Sequence, residues 1–347
     1  MLRDELLRRF PKLKNLSPDT YIVGGAIRDL LLGIEPADVD VACNDPLQCA
    51  QSISKRVIRL GTGDHLSAWR VVDGDHIYDF AEILDHDIDV DLARRDFTVN
   101  AMALPVGGGD LRDPRDGRGD LQRRIVRMID ASNFDDDPLR CLKAVRMAVK
   151  HRFEIDEATL AAIQPRATLI TNIAAERVTF ELSIMFSVGQ FRLAVALLRA
   201  TRLDVPLFGR DLDASRFQAD DVSLAGAYAL LVDDPKRYAK RWRWSVDLLR
   251  EVTALQSLLA EHDVVALYDA GEAVARQLPA VLRALGRDDR VEMPDFSIRA
   301  LLTGEEIGLD EGPQLGRVKR ALLEAQIRGE VKTKEEARAF VTASTSR

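Results

Sequence analysis

The sequence predicts an α+β chain in two unequal parts, with strands and short helices up to about residue 127 and helix from about residue 134 onward. Three observations predict it. Short β-branched runs bounded by glycine and aspartate recur through the first part, beginning with Tyr21-Ile22-Val23. Beyond Phe134 the apolar residues recur at helical spacing, with Pro and Gly breaks near 205–210, 233–236 and 286–295. The length, 347 residues at 46% hydrophobic and 30% charged, suits two or more globular domains rather than a disordered chain.

Taken in order, residues 1–17 read as a short helix and a loop. Tyr21–Val23 reads as a buried strand that Gly24-Gly25 interrupts. Ala26 to Leu32 reads as a helix with Ile27, Leu30 and Leu31 on one side and Gly33 as its stop. Asp38-Val39-Asp40 follows, and strand alternation sets the two carboxylates on one face and Val39 on the other. Paired acids beside a glycine turn invite a divalent cation and a phosphate: glycine admits phosphate oxygens to backbone N–H groups, and a helix start is positive. Hard oxygen ligands suit Mg²⁺, which is readily shared with substrate phosphates.

Pro46–Arg56 reads as a helix; 57–60, 68–73 and His76–Phe80 read as strands, the last with Asp79 between apolar neighbours. Arg94-Arg95-Asp96 stands ahead of a helix start, and arginine is suited to bidentate phosphate contact. Residues 111–117 form a turn in which Pro114 fixes φ and Gly117 allows the bend, and 123–127 is the last strand of this part. The acidic run Asp135-Asp136-Asp137 before Pro138 suits a helix start. Beyond it Asp137, Arg140, Lys143 and Arg146 recur at helical spacing along one side. In Ala174–Phe186, Glu176, Arg177 and Glu181 read as a brace with contacts at i,i+4 and i,i+5. Lys236–Arg250 carries six basic residues against one acid, with Tyr238, Trp242 and Trp244 interleaved.

Composition narrows the class. No apolar run approaches the ~18–20 residues of a membrane span, and MLRDELLRRF is too charged for a signal peptide. Cys43, Cys49 and Cys141 lack C-x-x-C spacing and suit a reducing cytoplasm without a disulfide framework or zinc site. A net charge of −7 argues against a general nucleic-acid binder but leaves room for a local basic stripe.

Gly-Gly, twelve intervening residues of which the last is apolar, and then Asp-apolar-Asp-apolar resembles the nucleotidyltransferase signature of the DNA polymerase β superfamily. More narrowly, VGGAIRDLLLG…DVDVA resembles the bacterial (class II) tRNA CCA-adding enzymes and poly(A) polymerases. RRDFTVNAMAL resembles that family's second motif, LRDPRDG its DPxxG turn, and DDPLRCLKAVRMAVKHRFEID its EDxxR and LRAVRF run. AERVTFEL resembles its ERxxxEL helix, and residues from LLTGEEIGL onward resemble the CCA-adding C-terminal part.

The resemblance implies a polymerase-β-like mixed-sheet head (1–133), then an all-helical neck (134–200), body (201–285) and tail (286–347). It implies transfer of CMP, and of AMP in full CCA addition, from CTP and ATP to a tRNA 3′ end, with release of pyrophosphate. Asp38 and Asp40 would hold two Mg²⁺, with Asp79 a candidate third ligand or else an edge acid facing water. Gly25, Arg28, Arg95 and Asp96 would line the nucleotide site. Asp137 and Arg140, with Lys143 and Arg146 on the same face, would receive the base. Lys236, Arg237, Lys240, Arg241 and Arg243, and in the tail Arg317, Lys319 and Arg320, would contact tRNA.

The base choice has a physical account. Cytosine and adenine each present an exocyclic amine beside a ring-nitrogen acceptor. Asp137 can accept from the first and Arg140 can donate to the second. Uracil and guanine present the reverse, at a cost of ~1–3 kcal/mol per unpaired buried group. Three departures bear on detail. Asp136 replaces the usual Glu, shortening any ion pair to Arg140, and Lys143 replaces an Arg. Only AEILDHDIDVDLA separates Phe80 from Arg94, where full CCA-adding members carry a longer loop. CC-only addition, with a separate enzyme supplying the terminal A, therefore stands beside full CCA addition. A poly(A) polymerase, a catalytically silent RNA-binding relative and an antibiotic nucleotidyltransferase are the remaining alternatives.

Overall fold

The computed structural model describes residues 2–60 and 68–345. The chain divides into two compact units: residues up to Glu181 with Leu197–Asp211, and Leu182–Ala196 with Leu212 onward.

The first unit is built on a six-stranded sheet of β1 (Tyr21–Val23), β2 (Asp38–Cys43), β3 (Ile58–Leu60), β4 (Ala68–Asp73), β5 (His76–Glu82) and β6 (Ala103–Pro105). Its order is β3-β4-β5-β2-β1-β6, with β2 and β5 parallel and the other neighbours antiparallel, so the sheet is mixed as expected. Helix α1 is Leu2–Arg9, α2 Gly25–Leu31 and α3 Pro46–Ile53. On β2, Val39 and Val41 are buried while Asp38 and Asp40 face out, the alternation the sequence predicts. Val23, Ala42, Ala101 and Ala103 form one core with Ile83, Ile88 and Leu92. Burial is worth ~1.5–3 kcal/mol for each large aliphatic side chain. It fixes α4 (Ile88–Ala93) beneath the strand that carries the acids.

Three expectations change. Arg94 and Arg95 do not precede a full helix: Arg94 caps the C-terminus of α4, and only the single 3₁₀ turn Thr98–Asn100 follows. Gly117 does not make the bend, which Asp116 makes at φ 55°. Gly117 opens α5 (Gly117–Arg123), and a Cβ there would lie 2.3 Å from the Thr98 carbonyl oxygen. The final strand, β7 (Ile125–Val126), does not join the sheet. It pairs in parallel with β8 (Glu154–Ile155), a strand inside the region expected to be all helix.

Between and after these strands come α6 (Asn133–Asp136), α7 (Leu139–His151), α8 (Glu157–Ile163), α9 (Ala175–Phe186), α10 (Phe191–Ala200) and α11 (Asp204–Phe208). Helix α7 buries Leu142, Val145, Met147 and Val149 on one face. The division between the units falls within α9 and α10.

The second unit is helical: α12 (Leu224–Leu231), α13 (Pro235–Trp242), α14 (Val246–Ala260), α15 (Val264–Ala270), α16 (Glu272–Ala275), α17 (Leu278–Ala284), α18 (Gly304–Ile307), α19 (Pro313–Ile327) and α20 (Lys334–Thr345). Phe186, Phe191, Phe217, Tyr228 and Trp244 make a chain of ring contacts in its interior. Leu302, Ile307, Leu315, Val318, Leu322, Val331 and Val341 form a separate core for the tail. Among the described residues no helix is long and apolar enough to cross a membrane.

Candidate active site

Asp40 stands in a row of charge across the sheet. It lies opposite Asp79 of β5, Asp79 lies opposite Arg70 of β4, and on the other flank Asp40 is opposite Val23. Partners in register point to one face, so Arg70, Asp79 and Asp40 are side by side. Arg70 grips Asp79 with two bonds, Nε to Oδ1 at 2.7 Å and Nη2 to Oδ2 at 2.6 Å. Asp79 is thus paired with a guanidinium rather than turned to water, and each of its oxygens keeps a lone pair beyond that bond. Among the described residues no three His, Cys, Asp or Glu gather closely enough to hold a metal. Asp38 and Asp40, on one face of β2, are the candidate pair.

Asp40 is exposed as a residue, yet its carboxyl is crowded by protein on the inner side, and the crowding sets its titration. Burial pushes its pKa up to about 6. The Arg95 guanidinium pulls the other way, Asp38 and Asp79 add repulsion, and Arg28 opposes them. A cation beside Asp38 and Asp40 would relieve that repulsion. Two hard oxygens leave its other positions to phosphate and water, so the donor set fits a divalent metal of the magnesium type.

Gly24 closes the site from β1. Its φ of 73° and ψ of −132° belong to glycine, and a Cβ there would lie 3.0 Å from Asp40 Oδ2 and 3.2 Å from an Arg95 Nη1. At Gly25 an added Cβ would make ordinary contact with Arg28 at 3.4 Å. Of the two glycines, then, Gly24 is the one the geometry requires, although the family motif points first to Gly25. Arg95 is steadied by Asp91, one turn back on α4, at 3.0 Å. Asp96 accepts from the Phe97 N–H at 2.8 Å and from Asn100 Nδ2 at 3.0 Å. Asn100 in turn accepts from Arg28 Nη1 at 2.7 Å, and Arg28 Nε donates to Asp29 at 2.7 Å. Arg28 is only 7% exposed, so the geometry makes it a brace beneath the site rather than an open phosphate contact.

At the junction of α6 and α7, Asp137 Oδ2 accepts from Arg177 Nη2 at 2.8 Å and Oδ1 from the Leu139 N–H at 3.3 Å. Arg140 Nη1 donates to the Asn133 carbonyl at 3.0 Å rather than to Asp136. Asp137 keeps lone pairs and Arg140 keeps N–H donors for a further partner. Arg146 is spent on Glu181, Nε to Oε2 at 2.5 Å, both largely buried. The ERxxxEL helix braces across to α6–α7 through Arg177–Asp137 and Glu181–Arg146. Lys143 lines a groove with Leu139, Glu176, Arg177, Phe180 and Glu181.

Asn133 escaped the sequence reading. It is buried, and its Nδ2 donates to the carbonyls of Ala93 (3.1 Å) and Arg95 (2.8 Å) while its own carbonyl holds Arg140. The one signal available was an amide just ahead of an acidic helix start, where such side chains often bond to backbone. Asn100 stood inside the quoted motif without a role.

In the second unit Lys236, Arg237, Lys240, Arg241 and Arg243 are exposed as expected. Tyr238 and Trp242 are 2% and 4% exposed and Trp244 is buried, so these rings are core and not stacking platforms. Arg237 and Arg241 lie over Tyr238 and Trp242 at 5.2 and 4.7 Å. Arg317 and Lys319 are exposed. Arg320 is instead a clamp, held by Asp269 of α15 at 2.8 Å and by Glu324 at 2.6 Å.

A mixed sheet with paired aspartates on one strand, beside a glycine turn and an arginine, is the head of a nucleotidyltransferase. Residues 20–87 and 79–127 match the poly A polymerase head domain, and 152–214 match the probable RNA and SrmB-binding site of polymerase A. The chain is 29% identical to the A-adding tRNA nucleotidyltransferase of Deinococcus radiodurans, over 97% of this chain and 98% of that one. It is 38% identical to the CC-adding tRNA nucleotidyltransferase of Synechocystis sp. over 49% of this chain and 42% of that one. A CCA-adding enzyme of Lactococcus lactis is 28% identical over 96% and 95%. The fold matches the CCA-adding enzyme of Bacillus stearothermophilus in complex with CTP, at a TM-score of 0.80 and 24% identity over 99% and 98% of the chains. The chain belongs to the family of poly(A) polymerases and tRNA CCA-, CC- and A-adding nucleotidyltransferases.

Proposed function

We propose that this chain is a template-independent tRNA nucleotidyltransferase that builds or repairs the CCA end, adding CMP from CTP, and AMP from ATP in the fuller reading. One observation carries it: the acids and the base-reading residues belong to one connected network. Asp40 faces Arg95 across Gly24, the Arg95 carbonyl is held by Asn133, and Asn133 holds Arg140 beside Asp137. A nucleotide with its phosphates at Arg95 would then meet Asp137 and Arg140 with its base. Asp38 and Asp40 would hold Mg²⁺, which supplies charge neutralisation for the reacting and leaving phosphates and acidifies the ribose hydroxyl. Arg95 binds phosphate, and Asp96, Asn100 and Arg28 keep the turn behind it rigid. Asp137 accepts the exocyclic amine and Arg140 donates to the ring nitrogen. The exposed basic face of α13 with Arg243 supplies tRNA phosphate contacts, supported by Arg317 and Lys319. Free thiols at Cys43, Cys49 and Cys141 suit a cytoplasmic enzyme.

CC-only addition is the second reading, with one observation in its favour. The stretch between β5 and Arg94 is taken up by a 3₁₀ turn (Leu84–His86) and by α4, anchored through Ile88 and Leu92 and tied by Asp91 to Arg95. The test uses tRNA lacking its 3′ end and tRNA ending in CC, each offered labelled CTP and ATP separately and together. Two C and one A in order is the expected product of CCA addition. CTP alone incorporated, with ATP present, assigns the CC reading. A alone on a CC end assigns A addition, long A runs a poly(A) polymerase, and binding without incorporation overturns the proposal.

A further inference from the structure

The groove between α7 and α9 is unused by the mechanism so far. Two ion pairs bound it, Asp137–Arg177 at one end and Arg146–Glu181 at the other. Between them it is lined by Leu139, Lys143, Glu176 and Phe180. Phe180 is 62% exposed and is the one aromatic among the exposed large hydrophobic side chains of the described residues. Exposing a phenyl ring in water forgoes the stabilisation that burial gives the rings elsewhere in this chain.

From these features we infer that the groove seats the unpaired 3′-terminal base of the RNA being extended, with Phe180 as the ring it stacks on. The inference rests on the nucleotidyltransferase reading above. Its geometry follows from spacing. Phe180 lies three residues along α9 from Arg177, which holds Asp137, and Lys143 lies three along α7 from Arg140. Three helical residues rise ~4.5 Å, close to the ~3.4 Å step between stacked nucleotides. A base on Phe180 would thus be the stack neighbour of a base read by Asp137 and Arg140. The charges agree with a nucleotide. Arg177 and Arg146 neutralise the acids at the two ends, and Lys143 offers an ammonium to the connecting phosphate, with Glu176 the remaining acid. Aromatic stacking tolerates any base, which a site for successive tRNA ends requires.

The test compares the full chain with Phe180→Ala and Phe180→Trp, using tRNA lacking its 3′ end and the same tRNA carrying 2-aminopurine as its last base. Stacking is worth ~1–3 kcal/mol per base, so Phe180→Ala should raise KM for tRNA roughly 5- to 150-fold while KM for CTP and the melting temperature stay put. Phe180→Trp should restore it. Binding should quench 2-aminopurine fluorescence with the native chain and not with Phe180→Ala. Unchanged KM for tRNA and unchanged quenching in Phe180→Ala would overturn the inference, as would a rise confined to KM for CTP. Because quenching is read without turnover, it separates the two readings. A native chain that quenches without incorporating label refutes the enzymatic reading and leaves the seat standing.

Discussion

Asp40 holds the least ordinary acid of the head, and its environment makes a pH prediction. With its pKa raised to about 6, a proton competes with the metal below that pH. Apparent metal affinity should be level above about pH 7 and fall toward tenfold per unit below about 6, as read by Mn²⁺ titration between pH 5 and 8. Asp38→Asn and Asp40→Asn should each lower turnover on the order of 10²-fold or more, with CTP incorporation as the readout. The two glycines should part company. Gly24→Ala carries backbone strain of ~1–3 kcal/mol and crowds both Asp40 and Arg95, so activity should collapse, whereas Gly25→Ala should stay close to native. His151 gives a separate test. Burial, then the charge of Arg28, hold its pKa down to about 4, and its Nε2 is buried without a hydrogen-bond partner. The unfolded chain takes up that proton first, near pH 6.5. The contribution to stability is therefore full above that pH and lost as pH falls toward 4. Melting temperature should drop less between pH 7 and 4.5 in His151→Gln than in the native chain.

At the scale of elements, the segment proposed to read the base is held in place by its neighbours. Glu181 and Arg146 form a buried pair, and removing one partner strands a charge. Glu181→Ala should cost ~3–5 kcal/mol, while Arg146→Met with Glu181→Leu should recover most of it, as measured by urea unfolding. Arg177→Ala should act differently. It frees Asp137 at an exposed position, so stability should hold while discrimination against UTP and GTP weakens in a misincorporation assay. This network was only partly legible beforehand. The helical spacing of Arg140, Lys143 and Arg146 put them on one side of α7, because period alone does that, whereas Asp137 lies in extended backbone just ahead of it. It could not say that Arg146 is consumed by Glu181, or that Asn133 reaches back to Arg95, since those bonds join residues 35 and 38 positions apart. Likewise β7 read as a strand from its own residues, but its partner β8 lies beyond α7.

For the whole molecule, an acidic chain that handles RNA must concentrate its positive charge locally. The exposed row on α13 does so, and tRNA binding should weaken with salt. Replacing Lys240 and Arg243 by Gln should reduce the slope of log affinity against log salt by about 0.9 for each lost duplex phosphate contact. Arg320→Gln should instead lower the stability of the tail, because Arg320 links α19 to α15.

What the sequence determined alone is what depends on near neighbours along the chain. The glycine break, the alternation that turns Asp38 and Asp40 to one face, the change from strand to helix near residue 134 and the family itself all lie in contiguous residues. The tertiary structure alone decided which charges are spent. Asp79 is held by Arg70, Arg28 by Asp29 and Asn100, Arg320 by Asp269, and the aromatic rings of α13 are buried. A charged side chain reads the same in a sequence whether it faces water, a phosphate or an opposite charge. Only packing brings its partner within 3 Å and sets which of the three it meets.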